Sequence, residues 1–202
     1  AIDCSHGALH DLAPAVFAAL GADLRVIAAA PDGKNINDEV GSEHPNSIRE
    51  LYQDSGYDFS FAFDGDGDRV IVFDETGAKA PGEALLMVLA TDAKAKQRLA
   101  DSVLVTTIQS NLGLDSALRR NGISVERTDV GDKHIARLMI ERKLTVGGEE
   151  SGHVVLGRFA VTGDGLFAAL SLAEIFASSD RSASELLGAY QAFPQSSKAI
   201  KV

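Results

Sequence analysis

Short apolar runs of strand character alternate along the chain with longer stretches whose apolar residues recur three and four positions apart. AIDC at 1–4 reads as a strand, DLAPAVFAALGA at 11–22 as a helix stopped by Gly21, and LRVIAAA at 24–30 as a second strand. The polar stretch PDGKNINDEVGSEHP at 31–45 has the Pro and Gly content of an irregular connection. NSIRELYQDS at 46–55 predicts a short helix capped by Asn46 or Ser47, followed by strands over YDFSFAFD (57–64) and RVIVFD (69–74) and a turn at ETGAK. A second unit of the same kind begins near Pro81. It predicts helices over 83–96, 112–122 and 132–143, strands over 102–108 and 124–130, strand-like LTVGG and HVVLG flanking a loop at 149–152, and closing helices over 164–179 and 182–190. The β, α, β, α, β order predicts two three-layer α/β domains with mixed, mainly parallel sheets, joined near residues 77–82.

Composition narrows the partners more than the fold. With 29 acidic against 19 basic residues, the formal charge of −10 repels nucleic acid and anionic membrane alike, so neither is expected as a partner. An anionic ligand must then be held by local cations. No apolar run reaches the length of a membrane span. One cysteine, Cys4, cannot form an internal disulfide, which suits a reducing cytoplasm, and it reads as core rather than nucleophile. A first residue that already belongs to a strand raises the expectation that the chain is part of a longer polypeptide.

The chemistry concentrates at FAFDGDGDR, 61–69. Asp64, Asp66 and Asp68 follow a predicted strand, at the end where open α/β sheets bind ligands. Alternate positions of an extended backbone share a face, and the intervening glycines let the chain curl, so the three carboxylates converge. Convergence without a cation forces one of them to hold a proton. A hard divalent cation resolves this, and an all-oxygen site with few protein ligands suits Mg²⁺. Three other readings compete. A solvated acidic turn seldom needs this register; an EF-hand loop requires glycine where Arg69 stands and helices on both sides; a haloacid-dehalogenase-type phosphatase wants threonine at Asp68 and is the runner-up.

A resemblance then becomes specific. FAFDGDGDR resembles the metal-binding loop of the α-D-phosphohexomutases, and GGEESGH at 147–153 resembles their sugar-binding loop. PDGKNINDEVGSEHP, QSNLGL (109–114), VGDKHI (130–135), TGDGL (162–166) and FPQ (193–195) resemble the glucosamine-phosphate branch of that superfamily more than its mannose- or glucose-phosphate branches. The resemblance implies that residues 1–79 are the second domain of four, 80–192 the third, and 193–202 the start of a linker to the fourth. It further implies a phosphosugar substrate, Mg²⁺ on Asp64, Asp66 and Asp68, and sugar hydroxyls read by Glu149, Ser151 and His153, which alternate along the loop and so share a face. Arg69 is expected to fork onto phosphate oxygens, a surface ion pair to Asp74 or Glu75 being its competing role. Lys133 and Asp132 are expected near the substrate, with Asp132 a proton acceptor or merely the cap of the helix behind it. In the implied reaction a phosphoserine of the absent first domain donates to the sugar, and the bisphosphate reorients and returns its other phosphate. The 202-residue chain is therefore expected to be inactive alone, since domains I and IV of the same polypeptide carry the serine and a phosphate grip. A metal and sugar-phosphate binding module without turnover stays open as a second reading.

Overall fold

The computed structural model describes residues 1–53 and 56–196, so the end of the predicted helix at 54–55 and the tail from 197 lie outside the described residues. Two four-stranded sheets are present, built on one plan. In the first, β1 (Ile2–Asp3) lies between β2 (Val26–Ile27) and β3 (Ser60–Phe63), parallel to both, and β4 (Val70–Phe73) closes the edge antiparallel to β3. In the second, β5 (Val103–Thr107) lies between β6 (Ser124–Thr128) and β7 (Val146–Gly148), again parallel, and β8 (Val154–Leu156) closes the edge antiparallel to β7. The strand orders 2-1-3-4 and 6-5-7-8 are the same topology, so the loops 64–69 and 149–153 are corresponding hairpin turns of two similar units.

Helices cover both faces of each sheet, as the fully buried strands require. On the first sheet α2 (Asn46–Leu51) seats Ile48 against Ala62, Ile71 and Phe73, while α1 (Leu12–Ala19) turns Ala13 and Phe17 toward Phe61 on the opposite face. On the second, α5 (Asp132–Arg142) seats Ile135 and Met139 against Val103, Val105 and Val155. α3 (Gly82–Ala95) is buried from Gly82 to Ala90 and packs with α4 (Gly113–Arg119) over the other face. α6 (Gly165–Ser178), which the sequence places in the second unit, packs against β3 and β4 as well as β8. One apolar cluster consequently runs through both units, from Ile2 and Phe61 to Leu86, Leu104 and Leu172. No helix among the described residues is long and apolar enough to cross a membrane.

One local detail departs from the sequence reading, and two others go beyond it. Pro45, not Asn46 or Ser47, precedes the first turn of α2, because the Ser47 hydroxyl is spent on the buried Asp3 carboxylate at 2.5 Å. Asp3 also accepts from Ser5 N and Gly41 N, which ties the polar stretch 31–45 onto β1. FPQ is docked: the Asn111 side chain accepts from Phe193 N at 2.9 Å and donates to Phe193 O and Gln195 Oε1. The third is the turn after β4, where Glu75 accepts from both the backbone and the hydroxyl of Ser184 on α7 (Ala183–Leu187).

That last contact carries a pH dependence. Burial alone would push the Glu75 carboxyl up, but the bonds from Ser184 hold it down at about 2. A folded-state value below the unfolded one stabilises above the ordinary carboxylate range and is lost as pH falls through about 2. Glu75→Gln is therefore expected to cost about 1 kcal/mol at pH 7 after allowance for solvent screening, a gap in Tm that narrows between pH 4.5 and pH 2. Thermal melts at both pH values measure it; a gap of constant size would show that the carboxylate charge contributes nothing.

Candidate active site

The first hairpin turn is organised by Asp64. Leaving β3 at 2% exposure, its carboxylate accepts from Gly67 N and Arg69 N at 3.1 Å and from Arg69 Nε at 2.6 Å. Gly67 takes φ +80°, which lets the loop double back so that those donors reach one side chain. Asp66 is exposed and makes no hydrogen bond among the described residues, and Asp68 is half-buried beside Asp64. One carboxylate oxygen from each of the three lies within 4.8 Å of the others. Burial and the adjacent Asp64 carboxylate push Asp68 up to about 6, while bonds from Asp68 and Arg69 hold Asp64 below its ordinary value against its own burial. The crowding thus acts in the direction expected of it, raising the proton affinity of one member, although a value of about 6 still leaves Asp68 mostly ionised at neutral pH.

Arg69 does not reach Asp74 or Glu75. It lies between Asp64 and Glu43, whose Oε1 is 3.5 Å from Nη1, with Asp68 at 3.6 Å. Asp74 turns instead onto Thr76 N, Thr76 Oγ1 and Ala78 N within its own turn.

The second hairpin turn faces the first. Residues 149–152 form a tight turn closed by Glu149 N to His153 O at 2.9 Å and Gly152 N to Glu149 O at 3.2 Å. The strand alternation assumed for this loop therefore does not apply, and its three candidate residues point differently. Glu149 Oε1 accepts from Gly131 N at 3.0 Å, Ser151 is exposed, and His153, 5% exposed, sets Nδ1 3.2 Å from Asp68 Oδ2. Asp132 and Lys133 are exposed at the start of α5; Gly131 stands at the cap position, and Asp132 accepts from Lys133 N. The bond from Gly131 to Glu149 nevertheless brings this helix start to the second turn.

A cavity of about 700 Å³ opens beside both turns, lined by Ser42, Glu43, Arg69, Lys79, Glu150 and Ser151 among others. Sequence reasoning had not singled out Ser42, Glu43 or Lys79; the only signal was that two of them lie in the polar stretch 31–45. Ser42 Oγ and His153 Nε2 are buried atoms without a hydrogen-bond partner among the described residues. His6, His10 and His44 serve local structure, on Ala30 N, Gly7 O and Glu39. Cys4 is fully buried in the core, where burial pushes its thiol up to about 12.

Comparison with known proteins matches both units of the chain to one family. Residues 1–77 match "Phosphoglucomutase/phosphomannomutase, alpha/beta/alpha domain II" and residues 81–193 match domain III of the same family. The chain belongs to the phosphoglucomutase/phosphomannomutase family. A member from Bacillus cereus, phosphoglucosamine mutase, is 43% identical over 195 residues, which is 96% of this chain and 44% of that protein. The chain thus spans less than half the length of that relative. A phosphoglucomutase/phosphomannomutase family protein from Burkholderia thailandensis superposes with a TM-score of 0.84 at 27% identity, over 95% of this chain and 42% of the other. N-acetylphosphoglucosamine mutase of Aspergillus fumigatus, solved in complex with GlcNAc-6P and magnesium, superposes at 0.69 over 96% of this chain and 49% of its own; at 18% identity the likeness concerns the fold.

Proposed function

We propose that the chain is the middle of a phosphosugar mutase that interconverts glucosamine 6-phosphate and glucosamine 1-phosphate, with the domain division at 79/80. The observation that carries this is the meeting of the two hairpin turns: the acidic loop and the loop of Glu149, Ser151 and His153 lie against each other beside one cavity. The donor set fits Mg²⁺, since three carboxylate oxygens lie close enough to share one ion and leave coordination positions for water and phosphate. Held by Asp64, Asp66 and Asp68, the ion would offset charge on the transferring phosphoryl group. Arg69, fixed by Asp64 along one side, offers its remaining N–H groups to phosphate oxygens. Glu150 and Ser151 present an acceptor and a mixed donor–acceptor to sugar hydroxyls in the cavity, while Glu149 is turned onto the helix start that carries Lys133. Asp132 is the proposed proton acceptor there.

A phosphatase with Asp64 as nucleophile fits less well, because both Asp64 oxygens are taken up by three N–H donors and the side chain is buried. The serine that donates phosphate and the grip for the distal phosphate are assigned to further domains of the same cytoplasmic polypeptide. The test is turnover of glucosamine 6-phosphate, with Mg²⁺ and a sugar bisphosphate primer, by the full-length protein and by the 202-residue chain. Activity only in the former is expected; activity in the chain alone would show that the nucleophile is misassigned.

Sugar choice depends on Glu150. It lines the cavity beside Ser151 and adds a third carboxylate to those of Glu43 and Glu83, a setting that attracts the 2-ammonium group of glucosamine. Because the side chain is exposed, the effect is modest. In the full-length protein Glu150→Gln is expected to reduce the ratio of kcat/KM for glucosamine phosphate over glucose phosphate by about two- to five-fold. An unchanged ratio would leave specificity to Glu149, Ser151, His153 and the domains outside this chain.

A further inference from the structure

The sequence singles out TGDGL at 162–166 without giving it a task, and the structure places it under the contact between the two turns. The turns are joined by more than proximity. Val70 N donates to Gly152 O at 3.1 Å, Arg69 and His153 pair as an antiparallel bridge, and Gly165 N donates to Gly67 O at 2.8 Å. Among the described residues the side-chain link between the turns is His153 Nδ1 to Asp68 Oδ2 at 3.2 Å. Gly163 forms the seat of that imidazole: a Cβ there would lie 2.3 Å from Cε1, 2.5 Å from Nε2 and 2.7 Å from Nδ1. Asp164 then caps α6 by accepting from Phe167 N, which fixes where the seat stands.

We propose that the second sheet's hairpin sets the geometry of the first sheet's acidic loop, with His153 as a positioning residue for Asp68 and Gly163 as the shape that holds His153. This rests on the cation reading of Asp64, Asp66 and Asp68. Among those three, Asp64 is fixed within its own unit by Gly67 and Arg69, Asp66 makes no hydrogen bond among the described residues, and Asp68, with Oδ1 3.6 Å from Arg69 Nε, has its other oxygen held from across the boundary by His153. An outer partner that fixes a ligating carboxylate typically changes metal affinity ten- to a hundred-fold. The link is reciprocal: a cation that fixes Asp68 also fixes His153, so occupancy of the acidic loop and the conformation of the sugar loop depend on each other. Gly163, which touches no proposed ligand, is thereby placed in control of cation affinity.

Mn²⁺, titrated into the 202-residue chain and followed by electron paramagnetic resonance, reads this directly and needs no turnover. His153→Ala and Gly163→Ala are each expected to weaken Mn²⁺ binding about ten-fold with the circular dichroism spectrum unchanged. His153→Asn, which keeps an N–H donor near the position of Nδ1, is expected to recover most of the loss. Mn²⁺ binding equal in the unsubstituted chain, His153→Ala and His153→Asn overturns the coupling while leaving the cation site standing. If the unsubstituted chain holds no Mn²⁺ at millimolar concentration, the cation reading fails and takes the coupling with it. Should Gly163→Ala not fold, the two His153 variants still decide.

Discussion

Asp66→Asn is expected to abolish calorimetric Mg²⁺ binding by the 202-residue chain and to lower kcat of the full-length protein at least about a hundred-fold, with no loss of fold stability. The neighbouring substitution Asp64→Asn is expected to do both kinds of damage. The difference follows from what each carboxylate touches. Asp66 is exposed and makes no hydrogen bond among the described residues, so its removal costs the fold nothing and costs a cation one of its three anionic oxygens. Asp64 is buried and accepts three N–H donors, two of them from Arg69. An asparagine offers one accepting oxygen and turns an N–H₂ toward the remaining donors, which leaves buried donors unsatisfied at a cost of about 2–4 kcal/mol. Urea unfolding followed by circular dichroism suits a chain with no tryptophan and separates the two outcomes. Equal Mg²⁺ heats from Asp66→Asn and the unsubstituted chain would remove the metal assignment. A midpoint for Asp64→Asn equal to that of Asp66→Asn would mean that the loop does not depend on Asp64.

The elements were legible because each is written in local pattern. Buried runs such as SFAF and VLVTT have no other stable place than a central strand, and the stretch from Gly82 to Ala90 is apolar enough to be a fully covered helix. The acidic loop was legible for a different reason: three like charges at two-residue spacing are electrostatically costly unless they share a purpose, and their oxygens do converge. Long-range pairings were not legible. Nothing near Arg69 in sequence announces Glu43, and nothing near Glu75 announces Ser184, 109 residues away. The reading of Glu149, Ser151 and His153 as one face applied a strand rule to residues that form a turn, where successive side chains diverge. The repeat of the 2-1-3-4 plan explains why the two chemical loops meet at all. Each is the hairpin turn of its own unit, and pairing Arg69 with His153 brings the like ends of the two sheets together.

Gly152→Ala is expected to destabilise the chain by about 3–4 kcal/mol, far more than one added methyl costs at an ordinary surface position. Three effects combine there. The residue sits at φ +92°, which an L side chain adopts at a cost of about 1–2 kcal/mol. Its Cβ would lie 2.3 Å from the carbonyl oxygen of Val70, which is backbone of β4 and has no rotamer by which to yield. Relief of that clash requires the turns to separate, which breaks the bond from Val70 N to Gly152 O, worth about 1 kcal/mol. Gly21→Ala supplies the control. Gly21 has nearly the same backbone, φ +84°, but nothing within 4 Å of an added Cβ, so it is expected to show the conformational cost alone, about 1 kcal/mol. The excess of Gly152→Ala over Gly21→Ala in urea midpoint then measures how firmly the two hairpins are pressed together. The same separation withdraws His153 from Asp68, so Mn²⁺ affinity is expected to fall with stability in Gly152→Ala and to stay unchanged in Gly21→Ala. Equal losses of stability in the two variants would mean that the contact between the units yields freely, and that neither loop depends on the other for its shape.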